Sequence, residues 1–280
     1  MIDLHTHSRI SDGSETPSRV VELAAEAGAK AIALTDHDTL AGLDEAILAG
    51  NSAGVEVIPG VEVSCEYRTG TMHMLIYFTS SESVELVKAL DELQDSRVNR
   101  NVKILDLMQR DGLDITMDEL VAEGGKTGIG KPHFAALLLK KGVVSSIQEA
   151  FDKYLEKGQR YYVDKKTFTP EEMINLALSS KAIPVLAHPL TVDKDPGNLR
   201  KVIKSWAKIG LAGIEAQYGR YAPETRSFLE ETAKMYDLVA TGGSDFHGSY
   251  KPDLQVATGR GDLNVDDSVV DRLKELRSEL

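Results

Sequence analysis

Short apolar runs alternate with amphipathic stretches along most of this chain, and the alternation predicts strands and helices in turn. Residues 2–7 (IDLHTH) read as a strand. Thr16 and Pro17 then supply an N-cap and a first-turn proline, and Val20, Val21, Leu23, Ala24 and Ala27 lead to Gly28 as a stop. AIALT at residues 31–35 has the continuous apolar character of a buried parallel strand. A helix over 40–53 and strands over 55–58 and 72–78 follow. Residues 83–161 then read as mostly helical, with Val84, Val87, Leu90 and Leu93, and later Ile104, Leu105 and Met108, at helical spacing. Within that stretch Thr116 and Glu119 form a capping-box pattern. The alternation resumes at Thr169-Pro170-Glu171-Glu172, a second capping box. After it come IPVLAHP, a helix over 199–209, AGIEA, a helix over 224–236, LVATGGSDFHG and a C-terminal helix over 267–280.

The simplest architecture for this order is α/β: a β/α barrel built from residues 1–82 and 166–280, interrupted by a helical insertion at 83–165. Barrel enzymes carry their chemistry at the C-terminal ends of the strands, so polar residues at those places are the ones to weigh. His5 and His7 are two apart in a strand and share a face. His37 follows AIALTD, His73 lies in MHMLIYF, His188 follows IPVLA and His247 follows LVATGGSDF. Only His133 falls in the insertion. The carboxylates repeat the habit: Asp12 follows the first strand, Asp36 and Asp38 flank His37, Glu62 follows VIPG, Glu215 sits in AGIEA and Asp245 precedes His247 by two. Any one histidine alone reads as an ordinary core or surface residue. Their joint clustering at strand ends does not, and imidazole with carboxylate is the ligand set of zinc, iron or manganese.

Composition narrows the partners. With 280 residues, 42% hydrophobic and 27% charged, the chain is ordinary for a globular protein. It has no apolar run approaching the roughly 18 residues of a membrane span and no signal-peptide pattern, so a cytoplasmic location is expected. The net charge of -12 argues against long nucleic acid but not against a small phosphorylated ligand, because bound cations reverse the local field. The single cysteine, Cys65, excludes an internal disulfide and a cysteine-based metal cluster, and reads as a small buried hydrophobe. Residues 125–131 match G-x-x-x-x-G-K, but Pro132 stands where a phosphate-binding P-loop needs Ser or Thr and no strand precedes them. A serine nucleophile is disfavoured by the absence of a G-x-S-x-G elbow.

H-x-H at His5 and His7, SDG at Asp12, TDHDT at His37, GVEVS at Glu62, the isolated His73, LAHP at His188 and GSDFHG at Asp245 and His247 together resemble the PHP (polymerase and histidinol phosphatase) family of metal-dependent phosphoesterases. RVNRN at residues 97–101 and KPHFA at 131–135 look most like its nucleotide-hydrolysing branch, which includes 3',5'-nucleoside bisphosphate phosphatases and 5'-to-3' exoribonucleases. The resemblance implies a distorted seven-stranded β/α barrel holding two to three divalent ions, manganese first, with iron or zinc as alternatives. By matching motif, His5, His7, Glu62 and Asp245 would bind one ion, Glu62, His73 and His188 a second, and Asp12, His37 and His247 a third. The chemistry implied is attack by metal-activated water, without a covalent enzyme intermediate. Glu62, His188 and His247 are the residues expected nearest the reaction, and the leaving-group acid is left open among His188, His247 and water.

Selectivity is expected from the insertion. If RVNRN is helical, Arg97 with Arg100, and Arg97 with Asn101, share a face, and guanidiniums there would grip a second phosphate. Lys131, where relatives often carry arginine, and His133 would approach the same group, while Asp12 and His37 would meet the substrate from the barrel. Tyr218 and Tyr221 are candidates for base stacking or for packing. The expected substrate is a small phosphorylated nucleotide, either a 3',5'-nucleoside bisphosphate or the 5' end of a short RNA. Histidinol phosphate, and a non-catalytic nucleotide-binding module, are the alternatives.

Overall fold

The computed structural model describes residues 1–67, 70–124 and 128–280. The first part of the G-x-x-x-x-G-K stretch, residues 125–127, lies outside them. Seven strands form one sheet in chain order: β1 (Ile2–Thr6), β2 (Ala31–Leu34), β3 (Glu56–Tyr67), β4 (Gly70–Tyr77), β5 (Ile183–Leu186), β6 (Gly213–Tyr218) and β7 (Val239–Gly243). Neighbouring strands are parallel except where β4 runs antiparallel to both β3 and β5. The chain beyond β7 returns to β1, with the His7 amide donating to Phe246 O at 3.0 Å and the Asp245 amide to His5 O at 2.8 Å. That contact nearly closes the sheet into a barrel.

The expected 55–58 strand runs on to Tyr67, because β3 changes partner rather than ending. Pro59 still faces Leu34 of β2, but Gly60 already faces Tyr77 of β4. Past that switch the chain alternates. Val61, Val63 and Cys65 face an outer core with Met72, Met74 and Ile76, while Glu62 and Ser64 turn to the barrel interior. Cys65 is buried there, as a small hydrophobe.

Helices α1 (Pro17–Glu26) and α2 (Leu43–Ala53) cover one side of the sheet. The helices α7 (Pro170–Ser179), α8 (Pro196–Ala207) and α9 (Pro223–Met235) cover another, and α10 (Ser268–Ser278) packs below β7 and β5. Their starts follow the sequence signals: Thr16 Oγ1 accepts from the Arg19 amide, and Thr169 with Glu172 completes a capping box. The stretch between β4 and α7 holds α3 (Val84–Arg110), α4 (Met117–Gly124), α5 (Lys131–Lys140) and α6 (Ile147–Ala150), the last running into one π-helical turn. Leu86, Leu90 and Leu93 of α3 pack in the barrel's outer core. Ile104, Leu105 and Met108 of the same helix join Phe134, Leu137 and Leu138 of α5 in a separate core. Thus α3 carries one end of its apolar stripe into each.

Candidate metal centre

Every strand contributes to one end of the barrel. β1 carries His5 and leads to His7, β2 leads to His37, β3 carries Glu62, β5 leads to His188, β6 carries Glu215, and β7 leads to Asp245 and His247. Because β4 runs antiparallel, its contribution, His73, comes from its beginning, opposite Ser64 and diagonal to Glu62. The close approach of β7 to β1 needs Gly243, where a Cβ would sit 2.4 Å from the Cβ of His5. Asp38, His188 and Asp245 have φ of 56°, 27° and 57°, the left-handed backbone that ordinary residues adopt only when their surroundings enforce it.

Glu62 stands at the middle, and its two oxygens divide the imidazoles. Oε2 lies 3.3 Å from His5 Nε2, 3.1 Å from His7 Nε2 and 3.2 Å from His37 Nδ1. Oε1 lies 3.1 Å from His73 Nδ1 and 3.0 Å from His188 Nε2. Asp245 Oδ1 is 3.5 Å from both His5 Nε2 and His7 Nε2. Asp12 reaches His247 Nε2 at 3.3 Å, and His37 Nε2 and His7 Nδ1 at 3.6 Å each. All nine residues expected as ligands therefore meet in one place. The donor atoms of eight of them converge as three groups, His5, His7 and Asp245; His37, Glu62 and His73; and His7, Asp12, His37 and His247, while His188 stands outside these groups, against Glu62 Oε1 at 3.0 Å and His73 Nδ1 at 3.3 Å. In this arrangement His7 and His37 each reach two groups, whereas the family pattern gives each a single ion.

The atoms suit divalent cations. His5 Nδ1 is engaged by Glu215 at 2.8 Å and His247 Nδ1 by the Asp245 carbonyl at 2.9 Å, which turns both Nε2 atoms inward. His5 Nε2 and His7 Nε2 face each other at 3.1 Å, and His37 Nδ1 is buried without a hydrogen-bond partner. Converging lone pairs that lack protons to share are what a cation satisfies. Burial pushes Glu62 up, but the imidazoles of His37, His73 and His5 overcome it and leave the carboxyl well below its usual range. Asp12 is likewise held down against burial by His37 and His247, and Asp245 by Lys251 and His247. Burial, together with His247, lowers His7 to about 4, and burial holds His37 well below its ordinary value. His7 and His37 are thus favoured as neutral imidazoles beside ionised carboxylates, the states a metal requires, whereas at His5 burial is overcome by the Glu215 and Glu62 carboxylates, which raise it well above its ordinary value.

Around this pocket lies a supporting layer that the motifs did not assign. Glu215 takes His5 on one oxygen and the His188 amide on the other, at 2.7 Å. Asp36 accepts from the Ser8 amide and from the hydroxyls of Ser8 and Ser11, fixing the turn that carries Asp12. Tyr218 Oη and Lys251 Nζ both donate to Asp245 Oδ2, at 2.8 and 2.5 Å. Tyr218 is buried and Tyr221 Oη accepts from the Leu190 amide, so packing rather than an open stacking platform describes both rings.

The insertion residues divide into two sets. Arg97 is not free to grip a phosphate: its Nη2 donates to Asp38 Oδ2 at 2.5 Å, and Lys165 donates to the same oxygen at 2.8 Å. Asn101 is also engaged, accepting from Arg100 Nη2 at 2.8 Å and donating to Ile129 O at 2.8 Å. The sequence showed a shared helix face but not the barrel carboxylate opposite it. Arg100 and Lys131 remain. Arg100 is 6% exposed, and among the described residues its hydrogen bonds go only to Asn101. Lys131 Nζ lies 4.5 Å over the Tyr162 ring. Burial, with Arg97 nearby, lowers Arg100 to about 9, and burial, with Arg100 nearby, lowers Lys131 to about 8. His133 Nδ1 accepts from the Gly130 amide at 2.9 Å, which leaves Nε2–H as a buried donor without a partner.

Known proteins are similar to this chain over most of its length. A 5'-3' exoribonuclease of Haemophilus influenzae is 32% identical over 88% of this chain and 89% of its own length. A 3',5'-nucleoside bisphosphate phosphatase of Chromobacterium violaceum is 30% identical over 88% of this chain and 87% of its own. A solved structure of an amidohydrolase from Chromobacterium violaceum, holding sulfate and no metal, superposes with a TM-score of 0.87 at 28% identity, covering 98% of this chain and 96% of that one. Residues 3–247 match the PHP domain, and with barrel, ligand pocket and relatives in agreement the chain belongs to the PHP family of metal-dependent phosphoesterases.

Proposed function

We propose that this protein hydrolyses the 3'-phosphate of 3',5'-nucleoside bisphosphates and, by the same chemistry, releases nucleotides from the 5' end of short 5'-phosphorylated RNA. The observation that carries the reading is a pocket built for cations beside two cations that lack carboxylate partners among the described residues, Arg100 and Lys131. A substrate with two phosphates satisfies both. The names of the two relatives described above point to the same substrates.

When bound, two to three divalent ions supply an acidified water and neutralise phosphoryl charge. Mixed nitrogen and oxygen ligands suit manganese, iron or zinc, and manganese is the ion to load first. In this reading Glu62 holds the His5/His7/Asp245 and His73/His188 sets together through its two oxygens, and Asp12, His37 and His247 form the third set. His188 and His247 both present Nε2 to the pocket, with Nδ1 turned away to Thr191 Oγ1 and to the Asp245 carbonyl, so in this reading solvent water supplies the proton for the leaving oxygen. Residues 83–165 act as the substrate-capping insertion: Arg100, Lys131 and the His133 Nε2–H receive the 5'-phosphate, Asn101 positions Arg100, and Arg97 ties the insertion to Asp38 of the barrel. A charged contact of this kind distinguishes a bisphosphate from a simple monoester.

The test is phosphate release by manganese-loaded protein from adenosine 3',5'-bisphosphate, AMP and histidinol phosphate, and mononucleotide release from a 5'-phosphorylated trinucleotide. Rapid turnover of the bisphosphate or trinucleotide, with AMP left intact, is the expected result. Turnover of histidinol phosphate alone would leave the metal centre standing and remove the role given to Arg100, Lys131 and His133.

A further inference from the structure

The cavity that Arg100 and Lys131 enter is larger than one phosphate needs. It measures about 230 Å³ and continues past them to Lys157, Tyr162 and Lys165. Four cations line it against two carboxylates, Glu66 and Asp164. Both carboxylates are exposed at the rim, whereas Arg100 is buried and Lys165 partly buried at the floor. Lys165 is held by Asp38, whose neighbour His37 belongs to the metal pocket, so the floor adjoins that pocket. Lys157 is exposed at the other end and has no ion pair among the described residues. A single phosphate held between Arg100 and Lys131 leaves the stretch from Tyr162 to Lys157 unfilled and its positive charge unanswered.

We infer that the cavity accepts a second phosphate on the 5' side, making nucleosides with a 3'-phosphate and a 5'-diphosphate preferred substrates. This rests on the proposed function above, and narrows it to the more highly phosphorylated members of the class. The first 5'-phosphate meets Arg100 and Lys131, and the terminal one lies toward Lys157, with the Tyr162 ring forming the wall. In the reaction the oxygen of water bonds to the 3'-phosphorus and the bond from phosphorus to O3' breaks. O3' leaves as the alcohol after gaining a proton, giving a nucleoside 5'-diphosphate and inorganic phosphate.

The experiment compares kcat/KM for adenosine 5'-diphosphate 3'-phosphate with that for adenosine 3',5'-bisphosphate, separating the nucleotide products by chromatography so that only loss of the 3'-phosphate is counted. The measurement is repeated with Lys157→Ala, an exposed change that spares both cores. The expected ratio, diphosphate over bisphosphate, exceeds one in the parent protein and falls about tenfold in the variant, the worth of one charge-assisted contact. A parent ratio below one, or a ratio that K157A leaves unchanged, overturns the inference while the bisphosphatase reading stands. Failure to release 3'-phosphate from either compound overturns both.

Discussion

Glu215 Oε1 lies 2.8 Å from His5 Nδ1, and that contact decides which nitrogen of His5 faces the metal pocket. The same carboxylate accepts the His188 amide, so one side chain orients groups on both sides of Glu62. Partners of metal-ligating imidazoles fix tautomer and ring orientation, and losing one typically costs metal affinity. Glu215→Ala is expected to lower metal affinity about 10- to 100-fold. It also strips the part-buried His188 amide of its acceptor, at a cost of about 1 kcal/mol in stability. Metal content after dialysis against a graded chelator, together with a denaturant curve, checks both effects. Retention of the full metal complement by a folded E215A protein would count against the orienting role.

Metal removal should destabilise the fold as well as end activity. Asp12, Glu62 and Asp245 are buried carboxylates held ionised among imidazoles that face one another without shared protons. Cations that bind this arrangement only in the folded chain add stability by mass action, about 2.7 kcal/mol at a hundredfold excess over Kd. Calorimetry of chelated protein is expected to show a lower Tm that recovers with added manganese in proportion to the logarithm of its concentration. A Tm indifferent to the ion would mean that the pocket is not a binding site.

Much of this site was legible because strands report their own ends. His5 and His7 followed from their i, i+2 spacing on the first strand, and His37, His188, Asp245 and His247 from apolar runs that stop just before them, and a barrel gives such ends one destination. Glu62 was visible as a candidate but misplaced beyond a strand. It lies inside β3, whose continuation depends on pairing with β4 rather than on local propensity. Glu215 and Lys165 were harder to read. Whether a carboxylate at a strand end faces a metal or holds a histidine depends on a neighbouring strand, and a lysine in the Lys165-Lys166 pair looks like any solvated charge until Asp38 is placed opposite it. The 83–165 stretch announced its helices through apolar spacing and one capping box, yet the sharing of α3 between two cores follows from packing that no single helix encodes.

Substrate affinity should depend on pH through Lys131. Burial, with Arg100 beside it, lowers this ammonium to about 8, so in the free protein it is charged below that pH and neutral above it. The charged form is the one that meets a phosphate. KM for the bisphosphate is therefore expected to climb as pH rises through about 8, and kcat to follow a separate profile set by the metal-bound water. Lys131→Arg keeps its charge throughout this range and should flatten the KM limb. Measuring KM and kcat separately across that range for both proteins is the check. A KM limb that persists in K131R would assign the titration to another group.

Asp38 tests how firmly the insertion is anchored to the barrel. Its Oδ2 accepts from Arg97 of α3 and from Lys165 of the returning chain, and its Oδ1 from the Ser64 amide, all in a fully buried setting. Burial would push this carboxyl up, but Lys165 and Arg97 overcome it and hold it well below the usual range. Asp38→Asn keeps the shape and removes the charge, leaving two buried cations without their counter-ion. Breaking a buried ion pair from one side costs about 3–5 kcal/mol, so D38N should move the denaturant midpoint down by a large fraction of the total stability. The partner change Lys165→Met removes one of the excess cations as well, so the double variant D38N/K165M should recover part of the loss. A double-mutant cycle in which the two losses simply add would show that Asp38 and Lys165 do not act as a pair.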